Sequence, residues 1–452
     1  MPRRPVVLIH GYSDQGESFD AWKSALLQRG YQATELSVCS YETLTNEVSI
    51  KDIAEGLDRA LRLRAGLDER QPFDAIVHST GMLVIRSWLT AYSTADPRRS
   101  RLKHLVALAP ATWGSPLAHK GRSWIGAIFK GRKELGPDFL ESGDQVLDGL
   151  ELGSRFTWDL AHRDLLADEP FYGATRATPY VFVFCGNRGY RGLRSLIHED
   201  GMDGTVRWAG CSLDSRKLVL DLTGSTPTGA ADLSAPRPAN VDAPLMFVDD
   251  VDHGSIVRDP PADLVDQVSS ALAVETADGL TGWRERAARW SRAARAAVTE
   301  WQQFIVRVVD ERGDPVGDYN IQLLADDGDR VRPFDADVHV YRAEPSLRCF
   351  HVNLAKLPPR LRRMQVRLIA SSGTSRVGYA GVGTEKMRLD GQVYDRSGKW
   401  DAQFDLPATV DGVRFFYPFT TTLVEIRINR EPLPLVGVND VLWFLPKQPV
   451  GP

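Results

Sequence analysis

The sequence predicts an α/β architecture: a doubly wound, mostly parallel sheet carrying a helical cap, followed by a separate all-β, sandwich-like domain. Three observations carry that prediction. Over about 275 residues, short apolar runs rich in β-branched residues alternate with longer amphipathic stretches, as strands alternate with crossover helices. That rhythm stops between about 111 and 178, and from Phe304 onward apolar residues recur with period two. The implied boundaries are 1–280 for the α/β domain with the cap at 111–178, 281–303 for a linker helix, and 304–452 for the β domain.

The strands expected in the α/β part are Pro5–His10, Ala33–Val38, Asp74–Ser79, Leu102–Ala109, Pro179–Cys185, Lys217–Leu222 and Pro244–Val248. Runs such as Tyr180-Val181-Phe182-Val183-Phe184 show no polar alternation, which fits strands covered on both faces. Helices are expected at Phe19–Arg29, Ile50–Arg64, Met82–Ala91 and Ala262–Val274; in the second of these, Ile53, Leu57, Ala60 and Leu61 keep helical spacing. The cap segment is rich in Trp, Phe and Leu, among them Trp113, Trp124 and Phe129. Trp283, Ala287, Trp290, Ala294, Ala297 and Trp301 recur every three or four residues and predict one linker helix, with arginines on its remaining circumference. Tyr319, Ile321 and Leu323, then Val338–Tyr341 and Val366–Leu368, set the period-two pattern of the β domain.

Composition narrows the function classes. The chain has 452 residues, 43% hydrophobic and 25% charged, ordinary values for a folded protein with a sizeable core. Lys plus Arg number 55 against 59 Asp plus Glu, a formal net charge of -4, so no global basic field exists to hold nucleic acid. Cys39, Cys185, Cys211 and Cys349 lack CxxC spacing, which argues against a structural zinc site or a redox dithiol. Cys185 and Cys211 bracket one loop and are read as free thiols. Met1-Pro2-Arg3-Arg4-Pro5 runs directly into Val6-Val7-Leu8-Ile9, with no room for a signal peptide, and no run reaches the ~18–20 apolar residues of a membrane span. The expected location is cytoplasmic, or outside the cell by a route without a cleaved signal.

Chemistry concentrates at Asp74-Ala75-Ile76-Val77-His78-Ser79-Thr80-Gly81-Met82, an apolar strand that breaks into a helix at a serine. Such a turn lifts the hydroxyl above the sheet edge and leaves the next backbone N–H at a helix N-terminus. Val6–Ile9 ends in His10-Gly11-Tyr12, a loop able to aim a second N–H, that of Tyr12, at the same point as the N–H of Thr80. A base and an orienting acid are expected in loops after later strands: His253 after Pro244–Val248, and Asp203 after Pro179–Cys185, with Asp200 and Asp249 as alternatives for the acid. Gly204 favours Asp203 by letting the loop turn back. His78 is read as a local packing or hydrogen-bonding residue, and the acidic run Asp249, Asp250, Asp252 as solvated rather than metal-binding.

Taken together, Ile9-His10-Gly11, Val77-His78-Ser79-Thr80-Gly81, Asp203-Gly204-Thr205-Val206 and Ala109–Leu117 resemble the α/β-hydrolase superfamily, its lipase branch, including lecithin:cholesterol acyltransferase-like enzymes. The resemblance covers about residues 5–275 and departs at Val77, where glycine is usual, and at Met82. It implies a lipase- or phospholipase-type serine ester hydrolase with Ser79, Asp203 and His253 as catalytic residues, Tyr12 and Thr80 as oxyanion donors, and no cofactor or metal. Trp113, Trp124 and Phe129 of the cap are expected to face a lipid or acyl-ester substrate; the Trp/Arg helix is read first as a linker whose Trp face packs between the domains, with contact to a membrane surface as the alternative. Two other readings fit the same residues. One is an exported antibacterial phospholipase effector; the other is a catalytically silent scaffold whose β domain binds a protein partner.

Overall fold

The computed structural model describes residues 3–11, 17–39, 47–92, 96–118, 144–173, 178–190, 199–223, 236–325, 328–334, 336–357, 364–374, 376–380, 399–406 and 415–432. Its strands in the first part of the chain are Val6–Ile9 (β1), Leu36–Cys39 (β2), Phe73–His78 (β3), Leu102–Leu108 (β4), Tyr180–Gly186 (β5), Ser215–Asp221 (β6), Arg237–Pro238 (β7) and Leu245–Val248 (β8). Six of them form a sheet in the order β2-β1-β3-β4-β5-β8, every neighbouring pair parallel. Both faces are covered, as the apolar runs predict. Val7, Ile9, Ala75 and Val77 enter one core with the helices Ile50–Leu63 (α2) and Gly81–Thr90 (α3). Val6, Leu8, Ile76 and Val106 enter the other, with Asp20–Gln28 (α1), Ala262–Ala271 and Ala277–Trp290.

The strand expected at Lys217–Leu222 forms, but in the other sheet. Its side chains alternate between buried Leu218 and Leu220 and partly exposed Val219 and Lys217, so it has only one apolar face. A strand of that kind suits a sheet with one wet face and not a parallel sheet buried on both. β6 therefore leaves the α/β core and pairs, parallel, with Thr421–Pro432 (β16), Ser215 opposite Thr421.

The remaining strands are Trp301–Asp310 (β9), Tyr319–Leu324 (β10), Val338–Val340 (β11), Leu347–Asn353 (β12), Met364–Ser371 (β13), Val377–Ala380 (β14) and Lys399–Leu406 (β15). A mixed sheet runs β11-β12-β9-β16-β6-β7, with β14 against the far end of β16, and a smaller antiparallel sheet runs β10-β13-β15. Leu218, Leu220, Phe304, Val306 and Ile426 of the first share one core with Ile321, Leu323, Val366 and Leu368 of the second.

The single linker helix expected over 281–303 is corrected. Helix runs from Ala277 to Trp290 and again from Arg292 to Ala296, and Trp301 already begins β9. The interruption falls at Ser291, whose hydroxyl donates to the Phe247 carbonyl at 3.0 Å and accepts from the Phe247 N–H at 2.6 Å. The tryptophan face packs inward: Trp283 meets Phe182 edge-on with ring centroids 4.5 Å apart. No helix among the described residues is long and apolar enough to cross a membrane.

Arg86 of α3 and Asp164, just beyond the helix Arg155–Arg163, form a fully buried bidentate pair at 2.8 and 2.9 Å. Asp164 also accepts from the Tyr172 hydroxyl and the Leu165 N–H, and Arg86 donates to the Thr112 carbonyl at 2.6 Å. This network ties the cap segment to α3, the helix that follows Ser79. Replacing one partner strands a charge where water does not reach, so Arg86→Leu is expected to lower unfolding free energy by about 3–5 kcal/mol in denaturant titrations.

Candidate active site

Ser79 stands between β3 and α3 with φ +54°, in the left-handed region that a β-carbon makes unfavourable by about 1–2 kcal/mol. Packing from the β1 side holds it there. A β-carbon at Gly81 would lie 2.6 Å from the Ile9 carbonyl oxygen, and one at Gly11 would lie 2.9 Å from the Ser79 β-carbon. Glycine at both positions is what allows the β1 loop and the elbow to touch. Val77 departs from the usual small residue yet fits, because small Ala107 stands opposite it on β4 and its side chain enters the core. Thr80 is the N-cap of α3, and the Ser79 carbonyl accepts from the Ala111 N–H at 3.0 Å.

His253 follows β8 and Asp203 follows β5, and the structure brings them together: His253 Nδ1 donates to Asp203 Oδ2 at 2.9 Å, both side chains fully buried. The other carboxylate oxygen accepts from the N–H groups of Thr205 (3.0 Å) and Val206 (2.8 Å). The backbones are also joined, His253 N–H to the Asp203 carbonyl at 3.0 Å. Asp252 fixes the turn by accepting from the N–H groups of Gly254 and Ser255 at 3.0 and 2.8 Å.

His78, the residue before Ser79, carries the link between the elbow and the histidine loop. Its Nε2 donates to the His253 carbonyl at 2.9 Å and its ring lies 4.7 Å from that of His253. A carbonyl can only accept, so the proton sits on Nε2 and Nδ1 is left as an acceptor. Burial, and next the neighbouring His253, hold the His78 ring well below the ordinary histidine range, which keeps it neutral.

The loop carrying Asp203 is laced down by side chains to which the sequence alone assigned no role. Ser115 donates to the Thr205 carbonyl (2.6 Å), Thr112 to the Cys211 carbonyl (2.8 Å), and Tyr190 and Thr205 share a hydroxyl contact at 2.7 Å. Gly204 has φ +105°, and a β-carbon there would meet the Tyr190 ring at 2.8 Å. Trp113 is fully buried with its indole N–H on the Ser212 carbonyl, so it braces this loop rather than facing open space. Tyr12, Trp124 and Phe129 lie outside the described residues. Of the alternative acids, Asp249 accepts from the Asn187 amide at 2.9 Å, while Arg188 faces Asp250 and Asp252.

Cys185 and Cys211 are free thiols with sulfurs 3.5 Å apart, and Cys185 points its S–H at Asp203 Oδ2 at 3.7 Å. With Asp203 they are the group among the described residues whose ligand atoms converge as a metal would require. Burial pushes both thiols up, and the Asp203 oxygens already accept from N–H groups, a chemistry that disfavours a cation. A cavity of about 680 Å³ lies between α2 and the C-terminal end of α3, and Ser79 is not among its lining residues. The cavity beside His78 and Gly254 is smaller, about 370 Å³.

No protein-family model matches the chain, and no curated protein matches its sequence. Among solved structures, the phospholipase PlaB from Legionella pneumophila is similar over 99% of this chain and 97% of that one at 21% identity. The TM-score is 0.78 for PlaB in complex with thio-NAD and 0.75 for PlaB alone. The chain has the α/β-hydrolase fold. The likeness extends through the β module, so the added sheets are part of the shared architecture and not an unrelated appendage. Within this α/β-hydrolase fold, Ser79, Asp203 and His253 follow β3, β5 and β8 at the carboxyl edge of the sheet.

Two outcomes test this geometry. Gly81→Ala pushes a methyl group against the Ile9 carbonyl and is expected to destabilise by about 1–3 kcal/mol, read as a lower denaturation midpoint. Neutral His78 gains a proton more readily when unfolded, so stability falls as pH drops below about 6.5. In denaturant titrations between pH 7 and 5, His78→Gln is expected to remove up to about 1.4 kcal/mol per pH unit of that slope.

Proposed function

We propose that the protein is a serine ester hydrolase of the lipase or phospholipase type, acting through an acyl-enzyme. The observation that carries this reading is the buried Asp203–His253 hydrogen bond, delivered to the Ser79 elbow by the His78 contact. Ser79 Oγ attacks the ester carbonyl, and His253 Nε2 takes its proton and returns it to the leaving alcohol. Asp203 fixes the imidazole with its proton on Nδ1, and supports the charge that develops on the ring. The Thr80 N–H, at the start of α3, and the Tyr12 N–H receive the oxyanion. Water then repeats the sequence on the acyl-enzyme, with His253 again as base.

The ester is taken to belong to a lipid, and a phospholipid first, because the similar fold shared over the whole chain is that of a protein called a phospholipase. The reaction asks for no cofactor. The whole-chain likeness also favours an enzyme over a silent scaffold, since the β module accompanies the hydrolase core in PlaB as well.

A fluorophosphonate probe is expected to label the wild type at Ser79 and not Ser79→Ala. Acyl release from dioleoyl phosphatidylcholine vesicles, measured as free fatty acid, is expected to fall by about 10⁴-fold or more in Ser79→Ala and in His253→Ala. Absence of labelling in a folded wild-type protein would leave the silent scaffold as the better reading.

A further inference from the structure

Asp203 stands at the first corner of a tight turn, and the base of that turn is gripped from a distant part of the chain. The Asp203 N–H donates to the Val206 carbonyl at 3.1 Å, and Met202 faces Arg207 in an antiparallel bridge, so residues 202–207 form a short hairpin. One step further down, the Trp208 N–H donates to the Gly201 carbonyl at 3.0 Å. The N–H groups that fix Asp203 Oδ1 belong to Thr205 and Val206 of the same hairpin. The carboxylate is therefore aimed by the hairpin as a whole.

Arg207 ends this hairpin with a residue exposure of 2%. Its Nη2 donates to both oxygens of Asp337, at 2.9 and 2.8 Å, and to Glu199 at 3.3 Å. Asp337 lies 130 residues further along, immediately before β11. It is held in turn by His351 of β12, whose Nδ1 donates to Asp337 Oδ2 at 3.2 Å and whose backbone N–H donates to the Asp337 carbonyl at 3.0 Å. The His351 ring stacks on Trp301 of β9, and a β-carbon at Gly201 would lie 2.8 Å from the first ring and 2.7 Å from the second. Both sides of the hairpin base thus rest on the β module, Arg207 through an ion pair and Gly201 through ring contact. A guanidinium taken out of water is unfavourable without its carboxylate, so this pair has little freedom to part.

The grip bears on the reaction because the base is anchored on the opposite side. The His253 carbonyl accepts from His78, the neighbour of the serine, at 2.9 Å. A hairpin that tilts moves Asp203 against an imidazole held elsewhere, and misplacement by about 1 Å in such a set costs about 10²-fold in rate. We infer that Arg207 is a positioning residue for the reaction, and that Asp337 of the β module acts through it to hold Asp203 against His253. The inference rests on the ester-hydrolase reading for the reaction it serves, and on the contacts alone for the grip. It gives the β module a task in turnover without any touch on the substrate.

The test is Asp337→Ala in the full chain, read in two ways. Glu199 keeps the buried guanidinium paired in this variant, and Asp337 is only half-buried, so the unfolding midpoint is expected to show a folded protein. With p-nitrophenyl butyrate, kcat is expected to fall about tenfold or more while KM stays within about twofold. The proton on His253 Nδ1, seen at low field by NMR while Asp203 holds it, is expected to broaden or vanish well below that midpoint. Asp337→Asn keeps the shape and one acceptor for Arg207; it is expected to show a smaller loss of both kinds, and it replaces the first variant should that unfold. Glu425→Gln, in the same sheet but paired with Lys217 and Arg427, is expected to leave kcat and the low-field signal unchanged. Unchanged kcat and signal in folded Asp337→Ala, a loss carried wholly by KM, or an equal fall in Glu425→Gln overturns the inference. If the wild type neither hydrolyses the ester nor labels at Ser79, the hydrolase reading fails, and the low-field signal still decides whether Asp337 holds Asp203 on His253.

Discussion

The hydrogen bond between His253 and Asp203 is the interaction around which the molecule is arranged. Putting a carboxyl group and an imidazole in a fully buried place is unfavourable by several kcal/mol per charge unless every lone pair and proton is met. The surrounding chain meets the carboxylate: two backbone N–H groups on Oδ1, the imidazole Nδ1 and a thiol on Oδ2, and a backbone bond between the same two residues. Such satisfaction requires a loop of one shape, and the rest of the architecture supplies that shape. Tyr190 closes over Gly204, and the turn from Ala111 to Ser115 bonds to the loop from the cap side.

The β module enters through the same loop. After Cys211 the chain does not return to the parallel sheet but runs into the second one, where β6 lies between β16 and β7. Arg207, buried, pairs with Asp337 at 2.8 Å and Glu199 at 3.3 Å, and Trp301 stacks on His351 at 4.3 Å against Gly201. The loop carrying Asp203 is thus held at one end by β5 and at the other by a sheet whose strands β9, β12 and β16 come much later in the chain. A sandwich fold hosts many activities, so the module's shape alone assigns none. What its contacts do here is brace the segment that carries Asp203.

Much of the site was legible in the linear sequence because its signals are local. A strand breaking at Ser79, a loop opening at His10-Gly11, and Asp203-Gly204 and His253-Gly254 after apolar runs are each readable within a few residues. Where the reading went astray, the deciding partner was distant. The periodicity of Trp283 through Trp301 is helical on paper, but Ser291 is captured by Phe247 on β8, and Trp301 belongs to β9 opposite Asn353. Lys217–Leu222 was recognisable as a strand, and even its one-sided alternation was present, yet nothing local named β16 as its neighbour. The role of His78 was equally hidden, since its partner carbonyl lies 175 residues away.

Pattern and composition by themselves determined a parallel α/β sheet, a β module after it, and which serine, carboxylate and imidazole stand at strand ends, because strand and helix periods and turn residues act over single elements. The tertiary structure alone decided that the acid loop is shared between two sheets and that the imidazole is tethered by its neighbour's ring. It also decided that Glu17, Asp20 and Arg258 line one cavity next to His78 and Gly254. Those relations are distances between residues far apart in the chain, and no local preference encodes a distance until the chain has packed.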